Sequence, residues 1–207
     1  VLNLTAKVQR FYANKLFHPI IVNAQFARQD QLGRMRQLGV TVNWFVPHLY
    51  YWGEALCQRI PNPNGIYTDT PLASAKRTLG TISAHANSPT TAPNPLQMMQ
   101  FMNTRDIQRW DSPPTKECIN KFAANEQVAL KDALKALTIN AALLYGLEKE
   151  KGSIEPGKLA DMTLLSADPL QSKNLLTIQV LGTIVRGVMH LQSAVPSIKE
   201  TSKAVSP

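Results

Sequence analysis

Two asparagines and two histidines stand where side-chain chemistry is most often done, at the ends of short apolar runs or in the loops beside them. Asn23 follows Ile20-Ile21-Val22, while His85 and Asn87 close the run Thr81 to Ala84. Between these runs lies Pro47-His48-Leu49-Tyr50-Tyr51-Trp52-Gly53-Glu54, an aromatic-rich loop carrying one histidine. An imidazole there can exchange a proton near neutral pH or contact a substrate, and a strand-end histidine is just as often a packed one. Tyr50, Tyr51 and Trp52 can wall an apolar substrate pocket, or pack on their own scaffold. Asn23 and Asn87 read equally well as polar strand-end residues bonded to backbone. Met98, Met99 and Met102 are core filler. Cys57 and Cys118 are far apart and outside any C-x-x-C pair. That argues against a disulfide framework and a structural zinc site, and favours a reducing compartment, the cytoplasm.

The elements that must position these residues are legible from periodicity. Leu4, Val8, Phe11 and Tyr12 recur at helical spacing within an opening amphipathic helix, broken at His18-Pro19. Ile20 to Val22 is a short continuous apolar run, as expected of a buried parallel strand. Residues 27–38 form a helix ended by Gly39, and Thr41 to Val46 is the next strand, which completes a strand–helix–strand unit. After the aromatic loop come a short helix over 55–60, a Pro- and Asn-rich loop over 61–69, and a helix from Pro71 capped by Thr70. Thr81 to Ala84 is a third strand, and Asn94-Pro95 starts the methionine-bearing helix. Residues 103–127 read as a polar surface excursion. Leu130 to Leu137 and Ile139 to Tyr145 form a helical pair with Gly146 as C-cap. Val180 to Arg186 and Val188 to Leu191 pair around Gly187, and Ser193 to Pro207 is a disordered tail.

With 44% hydrophobic residues in 207, the chain can build a sizeable core. Its net charge of +8 comes from single, scattered lysines and arginines, without a like-charge block or zinc-finger spacing, so no nucleic-acid partner is expected. No run of about eighteen apolar residues exists, so no membrane partner is expected either.

The segment Gly152-Ser153-Ile154-Glu155-Pro156-Gly157-Lys158-Leu159-Ala160-Asp161-Met162 is by chemistry a turn feeding a strand. It also resembles the segment that closes the catalytic barrel of the amidohydrolase superfamily and returns the chain to a small β-sandwich. Three further stretches resemble the metal-dependent amidohydrolases related to N-substituted formamide deformylase. Ile21-Val22-Asn23-Ala24-Gln25 matches the end of that family's sixth barrel strand. Pro47 to Glu54 matches the loop after the seventh, and Ala84 to Leu96 the end of the eighth.

The resemblance implies an α/β fold: the C-terminal part of a (β/α)8 TIM-type barrel, about strands six to eight, followed by strands of a small β-sandwich. The expected organisation is a barrel portion over 1–150, sandwich-type strands over 151–192 and a tail over 193–207. Three strands do not close a barrel that typically takes about 250 residues. A missing N-terminal half, or self-association through the open barrel edge, is therefore the expected partner.

For activity, the resemblance implies hydrolysis of non-peptide carbon–nitrogen bonds, of amide or formamide type, in a small-molecule substrate, with a divalent metal, usually zinc, activating water. Asn23 falls where the family has a ligating histidine, and Asn87 where it has the aspartate that ligates and moves the proton. An amide has no basic site near neutral pH and is a weak zinc ligand. His48, Tyr51, Trp52 and His85 fall at substrate-contacting positions. Three hypotheses follow: the C-terminal part of such a hydrolase, a catalytically inactive relative that binds a small molecule or a protein, and a basic binding module of unrelated origin.

Overall fold

The computed structural model describes residues 1–12, 18–59, 68–108 and 125–192. Residues 13–17, where the opening helix is expected to continue, most of the Pro- and Asn-rich stretch, the centre of the expected polar excursion and residues 193–207, expected as a tail, lie outside them.

Three short strands make a parallel sheet. They are β1 (Ile20–Asn23), β3 (Thr41–Phe45) and β5 (Ser83–His85). They are hydrogen-bonded in the order β1-β3-β5, the order of the chain. Ile20 pairs with Thr41 and Asn43 with Ser83. Each strand feeds a helix: α2 (Gln29–Gln37), α3 (Pro47–Arg59) and α5 (Pro95–Thr104), with α4 (Leu72–Leu79) between the last two. A parallel pair needs such a crossover, because a tight turn cannot return the chain in the same direction.

Register assigns the two faces. Val42, Trp44 and Ala84 lie under the helices, where they meet Leu32, Met35, Leu72, Ala75 and Met99 in one continuous core. Trp44 is wholly buried. Burying side chains of this size is worth on the order of 1.5–3 kcal/mol each. On the other face Val22, Asn43 and Ser83 form one row, and Phe45 and His85 the next. There Val22 is 55% exposed. The expectation of a buried first strand is thus corrected: among the described residues β1 has a neighbour, β3, on one side only.

Helix ends follow local chemistry. In α5 the Asn94 side chain accepts the Gln97 amide at 3.1 Å, with Pro95 in the first turn. Gly39, at φ 59°, ends α2, and the Val40 amide donates back to the Met35 carbonyl at 2.8 Å. Pro47 to Glu54, expected as a loop, is the first half of α3, because a proline in the first turn starts a helix. Nor does Thr70 cap α4. Its hydroxyl donates to the Asp69 carboxylate, and the Ser74 amide at the start of α4 donates to Glu126 at 2.8 Å instead. A carboxylate suits that position because the helix dipole is positive there. Arg105, Ile107 and Glu126 are buried, against the surface excursion expected for 103–127.

A two-residue strand, β2 (Phe26–Ala27), pairs antiparallel with β4 (Thr68–Asp69) beyond the end of β1. A second sheet, antiparallel, comprises β6 (Met162–Leu165), β7 (Val180–Val185) and β8 (Val188–Leu191). The expected helical pair is present as α6 (Leu130–Leu137) and α7 (Ile139–Leu144), broken at Thr138. Gly152, at φ 95°, lies against it. A Cβ there would stand 2.8 Å from that of Ala142 and 2.9 Å from Ile139 Cα, so only glycine fits.

No helix among the described residues is long and apolar enough to cross a membrane. Cys57 is disulfide-bonded, which removes the sequence argument for a reducing compartment.

Candidate functional site

The carboxyl ends of β1, β3 and β5 lie side by side, and the start of α3 folds over them. Ligand sites of parallel α/β sheets are built at this end. Phe45, the last residue of β3, is the hub. Its ring centroid lies 5.8 Å from that of His85, nearly stacked, 5.7 Å from that of His48 and 5.8 Å from that of Trp52. His48 and Trp52 are themselves 5.6 Å apart, and Phe26 meets the His48 ring edge-on at 6.1 Å.

The two histidines are held differently. The Asn87 amide donates to His85 Nδ1 at 3.0 Å, so the ring carries its proton on Nε2. That nitrogen is buried and has no hydrogen-bond partner among the described residues. Burial holds the His85 pKa below the ordinary 6.5, which keeps the ring neutral at physiological pH. His48 Nδ1 instead lies 3.0 Å from Asp69 Oδ2. Asp69 is wholly buried and also accepts the Thr70 hydroxyl at 2.8 Å.

Behind this pair sits Arg105, 4% exposed, donating to the main-chain carbonyls of Asp69 and Thr70. Burial lowers the Arg105 pKa, and the charges of Asp69 and Glu126 oppose that effect.

The other residues singled out in the sequence are placed as follows. Asn23 ends β1 level with Trp44, at φ 80°, and its Oδ1 is buried without a partner among the described residues. Asn87, at φ 53°, belongs to a turn. Its carbonyl accepts the Thr90 amide at 2.9 Å and its side-chain amide donates to the Thr90 hydroxyl at 3.4 Å. The Tyr51 ring meets Tyr50 at 5.0 Å and Phe101 at 6.4 Å, on the core side of α3, and among the described residues touches the Phe45 group through Trp52. His48, Trp52 and His85 are thus brought together, and Tyr51 stands apart.

Among the described residues no group of three or more His, Cys, Asp or Glu side chains converges as metal ligands do. What stands at the strand ends is two neutral amides and two imidazoles, each with its Nδ1 already engaged, that of His85 by the Asn87 main-chain amide and that of His48 by Asp69. A catalytic zinc takes at least three protein ligands, mostly histidine or carboxylate, so this set does not fit one. The cavity lined by Val40, Thr41, Thr81 and Asn140 opens at the opposite end of the sheet and has no carboxylate, thiol or imidazole in its wall.

Sequence reasoning missed Phe45, Asp69 and Arg105. Asp69 reads as a turn residue after a Pro- and Asn-rich stretch, and Arg105 as a surface residue before Asp106. Only the buried state of both would have flagged them, and no periodicity announces it.

The sequence model described as the amidohydrolase family matches residues 6–189. Over 169 residues the chain is 25% identical to Protein LONG AFTER FAR-RED 3 of Arabidopsis thaliana, covering 81% of this chain and 27% of that protein. Over 70 residues it is 40% identical to N-substituted formamide deformylase of Arthrobacter pascens, 33% of this chain and 13% of that enzyme. An uncharacterized metal-dependent hydrolase from Pyrococcus horikoshii OT3 has the same fold over 84% of this chain and 33% of its own, with a TM-score of 0.67 at 20% identity. The chain therefore spans about a third or less of each of these proteins.

Proposed function

Because the chain belongs to the amidohydrolase family, we propose that it supplies the C-terminal barrel portion, about strands six to eight, of a hydrolase acting on non-peptide carbon–nitrogen bonds of a small molecule. Three parallel strands bonded in chain order, each followed by a helix, support the barrel assignment, since doubly wound sheets reverse their order partway. The observation that carries the functional reading is the convergence of His48, Trp52 and His85 on Phe45 at the strand ends. That group combines apolar walls with one accessible imidazole, that of His48, as small-molecule sites do. In this reading the described residues bind and orient the substrate, while metal ligation by Asn23 and Asn87 is not part of their chemistry.

A second reading, a non-catalytic relative that binds a small molecule, is favoured by the two asparagines. Asn87 is committed to its turn, and neither amide can move a proton near neutral pH. One experiment separates the readings: metal content by elemental analysis, together with hydrolysis of N-formyl and N-acyl amines in added zinc, each measured with the N-terminal half of a related barrel supplied as a second chain. Stoichiometric metal with turnover supports the hydrolase. Absence of both, with small amides still bound, supports the binding protein.

A further inference from the structure

We propose that His48, held by Asp69, is the hydrogen-bond acceptor of a site for a small aromatic amide, and that Asp69 and Arg105 exist there to fix which imidazole nitrogen is free. The ligand class rests on the reading of the preceding subsection, whereas the ring's tautomer does not.

Asp69 is wholly buried, yet both its oxygens are engaged, Oδ1 by the Thr70 hydroxyl at 2.8 Å and Oδ2 by His48 Nδ1 at 3.0 Å. Arg105, buried against the main-chain carbonyls of the same two residues, sets a guanidinium near the carboxylate. An ionised carboxylate only accepts hydrogen bonds, so it can meet Nδ1 only as Nδ1–H. The neutral ring then carries its lone pair on Nε2. A third group fixing a histidine tautomer through Nδ1 is the device that lets an imidazole act as base in hydrolytic triads.

The position of His48 gives that lone pair something to meet. Its side chain keeps 21% of its surface accessible, against none for Asp69. Phe26, Phe45 and Trp52 surround the ring at centroid distances of 5.6–6.1 Å. Of these rings Trp52 is 36% exposed, so a flat aromatic body can lie against it, and an N–H attached to that body can donate to Nε2. An N-acyl arylamine carries both features in one molecule.

The test uses the whole chain, 15N-labelled at histidine, with acetanilide as probe. Ring-nitrogen NMR at pH 7.5 should show His48 protonated on Nδ1 alone. In Asp69→Asn the new amide can donate to Nδ1, so the proton should move to Nε2 and the acceptor becomes a donor. Acetanilide should shift the Nε2 resonance of the unaltered chain, and its Kd should rise about ten-fold in Asp69→Asn, the worth of one well-placed hydrogen bond. If Asp69→Asn does not fold, His48→Phe keeps the ring's shape without the acceptor and should give the same ten-fold loss. An Nε2–H or doubly protonated ring in the unaltered chain overturns the proposal. So does acetanilide binding that His48→Phe leaves unchanged, and so does failure of acetanilide to bind. Binding with no hydrolysis of any N-acyl amine, once the N-terminal half of a related barrel is supplied as a second chain, overturns the hydrolase reading alone.

Discussion

At Arg105 a left-handed backbone, φ 61°, ends α5 and turns a guanidinium into the protein instead of out of it. Its two carbonyl partners, on Asp69 and Thr70, end and directly follow the strand that carries the carboxylate facing His48. Arg105→Met keeps the bulk but strands both carbonyls and leaves Asp69 buried beside no cation. The expected cost is about 2–4 kcal/mol, read as a lower urea midpoint at unchanged slope. A loss under about 1 kcal/mol would mean that the carbonyls find other donors. The same residue shows the limit of reading chemistry from sequence. His48, His85 and Trp52 were legible because their types are rare and their spacing matched a family pattern. Arg105 and Asp69 are common surface types, and their role comes from a backbone conformation and a two-residue strand pairing that leave no periodic trace.

Among the elements, the segment from Gly152 to Asp161 was the plainest sequence signal, and its role proves structural. Asp161 Oδ1 accepts the Arg186 amide at 2.8 Å, and the Gly187 amide donates to the Ala160 carbonyl at 3.1 Å. Together they clamp the turn of the β7–β8 hairpin, where Arg186 and Gly187 both take positive φ. Lys151 adds an ion pair to Asp161 at 3.4 Å. The Arg186 amide first, and Lys151 after it, hold the Asp161 pKa below 3.8. The sign follows: a carboxyl more acidic in the folded chain stabilises it above the unfolded value and loses that contribution as pH falls below it. Thermal melts should therefore show a drop in Tm between pH 5 and pH 3 that is smaller in Asp161→Asn, and equal drops would dismiss the clamp. Most strands and helices were legible here because their periods are regular. The start of α3 was not, since Pro47 and three aromatics read as a loop until the first turn of a helix is seen to accommodate proline. Thr70 misled for a similar reason: a capping residue type was present, but a buried carboxylate took its hydroxyl first.

On the scale of the whole molecule, the parallel sheet is the unsaturated part. The outer side of β1 bears no strand among the described residues, and Ile20 and Val22 stand 36% and 55% exposed on the face that barrel interiors bury. Open edges with apolar side chains recruit other chains. The chain should therefore self-associate at micromolar concentration, and Val22→Lys should shift it toward the monomer, as measured by light scattering after gel filtration. A monodisperse monomer of the unaltered chain would count against the open edge as an adhesive surface.

The two sheets also differ in how far along the chain their partners lie. In the parallel sheet Asn43 must find Ser83, with two helices formed in between, whereas in the antiparallel one Val185 meets Val188 across a single turn. Closing a longer loop costs more chain entropy before any contact rewards it. The hairpin therefore forms early and locally, and the aromatic group around Phe45 is assembled late, at the step that brings β5 home beside β3.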